Sequence, residues 1–336
     1  MENFYFIGVD VSKKKLDICV MCGSKVVTEE QVTNHQQAIL KLINELKRDL
    51  NMTNGDFIIC AEHTGQYTYP LICVCKSIDC KLWLENPTQI KYCSGLTRGK
   101  NDKVDAKRIA IYASRFCDQA VCYKRPSEEL TRLNQLEAER TLYLVDLSKY
   151  KAQLTDQKDF MPKALYKDKS SRLKMLIKSL EQVLKAIEDE MNRIIESTKI
   201  LSRQMDLLTS IDGIGRVVAM NMIIATEAFT RFDNPRQFCC YAGVAPFAYT
   251  SGSSQHSKNR VLQRACKYIK TLLHMSAVAI THRKSGELKA YYERKVDEGK
   301  NKMTIINALR AKLVARMFAV IKRDEFYSPI LSENFC

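Results

Sequence analysis

FYFIGVDVS, residues 4–12, is a short apolar run that delivers an aspartate, Asp10, near its end. A run of this length, rich in aromatic and β-branched residues, predicts a strand. KLDICVMCG and KVVTEEQV follow at hairpin spacing across Gly23-Ser24, so three strands precede the first helix. That helix is expected over His35 to Leu50, where Ile39, Ile43, Leu46 and Leu50 recur at helical spacing. DFIICAEHTG repeats the opening pattern, an apolar run that terminates in an acid, Glu62. A helix from Tyr67 to Cys80, the strand CKLWLEN and a helix containing DKVDAKRIAIYASRF complete the unit.

The resulting β-β-β-α-β-α-β-α order is that of ribonuclease-H-like folds, and the carboxylates give the order a chemical meaning. Asp10 ends the first predicted strand and Glu62 the fourth, so adjacent strands place both at one edge of the sheet. Asp102 and Asp105 are three apart on a predicted helix and share a face. Four converging acids repel one another unless cations neutralise them, and an oxygen-only donor set suits Mg²⁺ or Mn²⁺. Two such ions activate the attacking oxygen and stabilise the leaving oxygen of a phosphodiester. Taken singly, each acid reads better as a solvated surface group, with Asp102 opening a helix as its N-cap. Convergence is what distinguishes a ligand set.

At 336 residues, 46% hydrophobic and 27% charged, the chain is folded and long enough for two or three domains. No apolar run approaches a bilayer span, and the start MENFYFIGVD lacks the basic-then-apolar pattern of a signal peptide. A cytoplasmic protein with no membrane partner is expected. Thirteen cysteines, an odd number without an export signal, argue against a disulfide framework. The CxxC of Cys19 to Cys22 has no second CxxC and no nearby histidine, so buried or free thiols are expected rather than zinc.

The net charge of +15 is unevenly spread: residues 1–125 hold 18 Lys+Arg against 14 Asp+Glu, residues 126–200 hold 14 against 13, and residues 201–336 hold 21 against 11. A cationic surface attracts polyanions by releasing their counterions, which points to the last segment as the part that grips nucleic acid. A lysine-rich surface that merely keeps the chain soluble is the alternative.

In the middle of the chain, Leu173, Leu176, Leu180, Val183, Ile187, Met191 and Ile194 recur at threes and fours, a coiled-coil seam. Leu130, Leu133, Leu136, Leu144, Leu147 and Leu154 form a partner stripe, with a turn near Pro162. A hairpin within one chain and a coiled coil between chains fit this pattern equally. LLTSIDGIGRVVAMNMIIA then places Gly213-Ile214-Gly215 between two apolar helices. This is either a helix-hairpin-helix, whose backbone N–H groups approach a phosphate, or an ordinary tight turn. The domain plan is residues 1–125, a helical coiled-coil spacer at 126–200, a mainly helical domain at 201–325 and a tail at 326–336.

The strings IGVDVSKKKLDICV, AEHTGQY and LTRGKNDKVDAKRIA resemble the N-terminal domain of the insertion sequence 110 family of transposases, also called DEDD transposases, and the related Piv invertases. RFDNPRQFCCYAGVAPFAYTSGSS resembles the C-terminal transposase domain of the same family. The resemblance implies a RuvC-like metal site on Asp10, Glu62, Asp102 and Asp105, and a serine nucleophile at the matching position, Ser251. It also implies donor and target DNA as partners, a structured guide called a bridge RNA, and a homo-oligomer, dimer or tetramer, working at the nucleoid. Arg98, Lys100 and Lys103, Gly213 and Gly215, and Lys258, Arg260, Arg264 and Lys267 are the expected nucleic-acid contacts. Ser253, Ser254 and the neighbouring His256 share the loop of Ser251. The stretch SSQHSKNRVLQRACKYIK keeps the positive charge that the family shows here but lacks its glycines. A recombinase, a structure-selective nuclease resembling Holliday-junction resolvases, and a noncatalytic nucleic-acid-binding protein are the three functions in contention. The acid quartet disfavours the last, and the C-terminal motifs disfavour the nuclease.

Overall fold

β1 (Tyr5–Val11) has small or apolar side chains on both faces for most of its length, and this puts it in the middle of a sheet rather than at an edge. In this computed structural model, which describes residues 4–93, 102–245, 250–251, 255–256 and 265–328, it is joined by β2 (Lys15–Cys22), β3 (Lys25–Thr33), β4 (Phe57–Glu62) and β5 (Lys81–Glu85). The sheet order is β3-β2-β1-β4-β5. β1, β2 and β3 pair antiparallel, while β4 and β5 run parallel to β1. β3 is exposed along most of its length and protects the open edge with Glu29 and Glu30.

Parallel neighbours require crossover connections, and helices supply them. α1 (Gln36–Asp49) and α2 (Tyr69–Ser77) cover one face, packing Ile39, Ile43, Leu71 and Val74 against Ile7, Val9, Phe57 and Ile59. α3 (Pro87–Cys93) follows β5, and α4 (Asp102–Arg115) covers the other face with Ile109 and Tyr112 against Phe6, Ile58 and Trp83. The helix expected from Tyr67 divides into a 3-10 turn, Gly65–Thr68, and α2. Pro70 has no N–H to donate and is tolerated only in the first α-helical turn, so α2 starts beside it.

Residues 126–336 form the second compact unit, and its described residues are almost entirely helical. α5 (Glu128–Asp156) starts at Ser127, whose hydroxyl accepts the N–H of Leu130 at 3.3 Å. α6 (Lys163–Ser197) returns after Pro162. Ion pairs Arg132–Glu190 (2.7 Å), Arg140–Glu188 (2.8 Å) and Lys151–Glu181 (2.7 Å) run in opposite senses along the two helices, so they form an antiparallel hairpin within one chain. Its seam differs from the leucine row read in the sequence: Leu176 and Val183 are 49% and 41% exposed, while Ile177 and Leu184 are buried. Positions 173, 177, 180, 184, 187 and 191 step by four and three, the 3.5-residue period that keeps one seam on a neighbouring helix.

The base of this hairpin packs into the helices C-terminal to it. Leu133, Leu136, Ile187 and Met191 share one core with Leu208, Ile223, Phe238 and Leu309. That core is closed by α7 (Lys199–Thr209), α8 (Arg216–Ala225), α9 (Pro235–Tyr241), α10 (Lys267–Thr281), α11 (Glu287–Asp297) and α12 (Lys302–Arg323). Burying such side chains contributes about 1.5–3 kcal/mol each, which ties the hairpin's base rigidly to the helices around α12. Among the described residues no helix is long and apolar enough to cross a membrane.

Candidate catalytic carboxylates and serine loop

Strand alternation turns Phe6, Gly8 and Asp10 of β1 toward α4. Asp17 of β2 lies directly opposite Asp10. On the other side, the pairing of Val9 with Ala61 brings Glu62 into register beside Asp10, and Glu62 in turn pairs with Glu85 of β5. Four acids therefore form a row across four neighbouring strands.

The two ends of the row are satisfied locally. Asp17, 2% exposed, accepts the Gln31 amide at 2.6 Å and pairs with Lys15 at 3.0 Å. Glu85 accepts the Tyr112 hydroxyl at 3.1 Å and the Asn86 N–H at 2.7 Å. Burial, followed by this neighbouring carboxylate, pushes the Tyr112 hydroxyl up, so it stays a donor. Glu62 is different. Burial first, then the negative charges of Asp10 and Asp105, raise its carboxyl above the usual carboxylate range.

Asp105 reaches this edge because α4 lies unusually close to the sheet. A Cβ on Gly8 would sit 2.3 Å from the backbone N of Ala110 and 2.4 Å from the carbonyl O of Ala106. Only glycine at position 8, facing two alanines, permits that approach. One turn earlier on α4, Asp105 is paired with Arg108 at 2.6 Å. Asp102 opens the same helix, but its side chain, that of Lys103, and residues Arg98 and Lys100 lie outside the described residues.

Among the described residues, no three acidic, histidine or cysteine side chains form a group that could hold a metal ion. The donor chemistry at this edge still suits a divalent cation. It consists of carboxylate oxygens, and Glu62 bears an electrostatic penalty that positive charge would relieve. Asp17, Glu85, Arg108 and Gly8 were not singled out in the sequence. Glu85 carried a readable signal, an apolar strand ending in an acid, as for Asp10 and Glu62.

In the second unit, β6 (Thr250–Ser251) pairs with β7 (Gln255–His256), with Ser251 opposite Gln255. Ser251 thus occupies the turn-proximal position of a short β-ribbon. Ser253, Ser254, Lys258, Arg260 and Arg264 lie outside the described residues. Both ends of the segment are anchored. Asn307 donates its amide to the Val244 carbonyl at 2.9 Å, and the Cys266 N–H reaches the Tyr241 carbonyl at 3.0 Å. Lys267 is exposed at the start of α10.

Gly213 and Gly215 play unequal parts. Gly213, at φ +86°, would drive a Cβ to 2.7 Å from Ile280, so it serves the packing of the α7–α8 turn on α10. Gly215 caps α8, and a Cβ there would meet nothing within 4 Å. The described cysteines are free, and burial pushes the Cys19 thiol up to about 11.

The family model for IS116/IS110/IS902 transposases matches residues 205–293, and a second transposase model, for the IS110 DEDD type, matches residues 7–159. The pilin gene-inverting protein of Moraxella bovis is 24% identical over 330 residues, covering 98% of this chain and 99% of its own. The insertion element IS110 43.6 kDa protein of Streptomyces coelicolor is 26% identical over 149 residues, 43% of this chain and 34% of its own. The Thermus thermophilus RuvC chain solved with a Holliday junction substrate superposes with a TM-score of 0.27 at 12% identity, covering 34% of this chain and 96% of that one. With its N-terminal carboxylate unit and its C-terminal helical unit each matched by a model of one family, the chain belongs to the IS110 family of transposases.

Proposed function

We propose that the chain cuts and rejoins donor and target DNA, using Ser251 as nucleophile and Asp10, Glu62, Asp102 and Asp105 as the ligands of Mg²⁺ or Mn²⁺. The observation that carries the ligand assignment is the crowding of negative charge at Glu62 by Asp10 and Asp105. When bound, a divalent cation supplies the positive charge that the phosphodiester and these acids lack, and polarises a phosphate oxygen. Arg108 holds Asp105 in place until then.

The Ser251 hydroxyl attacks the phosphorus. Its O–P bond forms as one P–O bond to sugar breaks, and the sugar oxygen leaves as a hydroxyl, taking up a proton equivalent to the one serine loses. Attack by a hydroxyl from another strand reverses these changes and frees the serine, so the bond energy is conserved through joining. A whole-length relative named for inverting a gene supports cutting with rejoining rather than cutting alone. Arg98, Lys100 and Lys103, Gly215 at the open start of α8, and Lys258, Arg260, Arg264 and Lys267 contact phosphates, while Gly213 serves packing. A structured RNA directs target choice, and the reaction takes place in the cytoplasm at the nucleoid.

The test is to quench the reaction in denaturant and map the DNA-linked peptide by mass spectrometry. A link at Ser251, lost in Ser251→Ala, is the expected result; efficient joining by that variant would overturn the assignment. Joining two duplexes takes several strand cuts, and each chain brings one acid quartet, so the active unit is a homo-oligomer, a dimer or tetramer. Mixing Asp105→Ala and Ser251→Ala chains is expected to restore recombination that neither has alone. No recovery in the mixture would show that each chain works by itself.

A further inference from the structure

The α5–α6 hairpin is close to neutral along its sequence, yet strongly polarised in space. Residues 149–178, brought together at its far end, hold nine Lys and Arg against three Asp; the rest of 127–198, at its base, holds four against ten acids. On α6 the lysines are also ordered. Lys163, Lys167, Lys174, Lys178 and Lys185 are all exposed and are spaced 4, 7, 4 and 7 apart. At 3.6 residues per turn this spacing holds them within an arc of about 60°, to one side of the buried seam, in a row about 33 Å long.

None of the five ammonium groups pairs with a carboxylate among the described residues. Three acids border the row at its base end: Glu181 and Glu188 are neutralised by Lys151 and Arg140 of α5 at 2.7 and 2.8 Å, and exposed Asp189 lies one turn past Lys185, beyond the row's end. Asp168 lies roughly a quarter turn or more away around the helix. No large apolar side chain shares the arc, so the row lacks what an interfacial membrane helix inserts. Leu176 and Val183 lie on the opposite flank of the seam.

We propose that this lysine row is a rail for the phosphate backbone of a helical nucleic acid. A straight line of regularly spaced point charges matches a polymer with a charge about every 3.4 Å per strand, and the row's length corresponds to about one duplex turn. The rail is separate from the carboxylates and the serine loop, and its binding does not rest on their chemistry.

The experiment uses the full chain without divalent cations and measures binding to a 30-base-pair duplex DNA and to a hairpin RNA across a salt series. Lysine-to-glutamine changes at all five row positions are compared with a control that changes Lys25, Lys76, Lys149, Lys199 and Lys302, exposed lysines off the row. The row variant is expected to bind at least about tenfold more weakly in one or both arms, with a salt slope flatter by about three to four. The control should change by no more than about twofold. The arm with the larger loss identifies the polymer, and Lys174→Gln with Lys178→Gln alone should give a proportionate part of it. Equal weakening of row variant and control, or wild-type binding by the row variant, overturns the proposal.

Discussion

Asp10→Ala is expected to lower strand cleavage by at least about 10³-fold, because several kcal/mol of transition-state stabilisation go with a cation site. The variant should still bind nucleic acid, since the basic surfaces are untouched. Chelation of the wild type with EDTA should give the same loss, and Mg²⁺ or Mn²⁺ should reverse it. Glu62→Gln is expected to share the catalytic defect but to melt at or above the wild-type temperature in divalent-free buffer. The neutral amide escapes both the burial penalty and the repulsion from Asp10 and Asp105 that raise the Glu62 carboxyl. A stabilised but inactive variant is the signature of a site that holds unfavourable charge for function. Wild-type cleavage by Asp10→Ala would remove this edge from the chemistry.

Gly8→Ala is expected to do the opposite to stability. Its Cβ would meet two backbone atoms of α4 at 2.3 and 2.4 Å, and no rotamer change can clear backbone. The helix must shift outward, opening the contacts of Ala106 and Ala110 with Cys19 and Met21. Overpacking of this kind costs about 1–3 kcal/mol or more, and urea unfolding should report it. Because Asp105 rides on α4, cleavage should fall by about 10²-fold or more even where the variant remains folded, since a displacement near 1 Å is that costly. Unchanged stability with full activity would mean that α4 does not depend on this contact.

The two expected losses separate chemistry from scaffolding within one strand. Asp10 and Gly8 are two residues apart on the same face of β1, and one carries charge while the other makes room for the helix. The sequence showed the first as an acid at a strand end. The second was invisible there, because a glycine in a strand announces a close approach only once the approaching backbone is known.

Alternation and helical spacing were enough to order β1 to β5, to put Asp10 and Glu62 at strand ends and to put Asp105 on a helix, since each is a local property of the chain. They also predicted two long helices around Pro162. Partners distant in sequence were beyond them. Only the folded chain set Asp17 and Glu85 in the acid row and shifted the hairpin seam from Leu176 and Val183 to Ile177 and Leu184. It also merged the hairpin's base with the core around α12 and divided a nearly neutral segment into an acidic base and a cationic end. The physical reason is the same in each case: strand register, helix rotation and charge neighbourhoods are fixed by packing between segments, and no single segment contains that information.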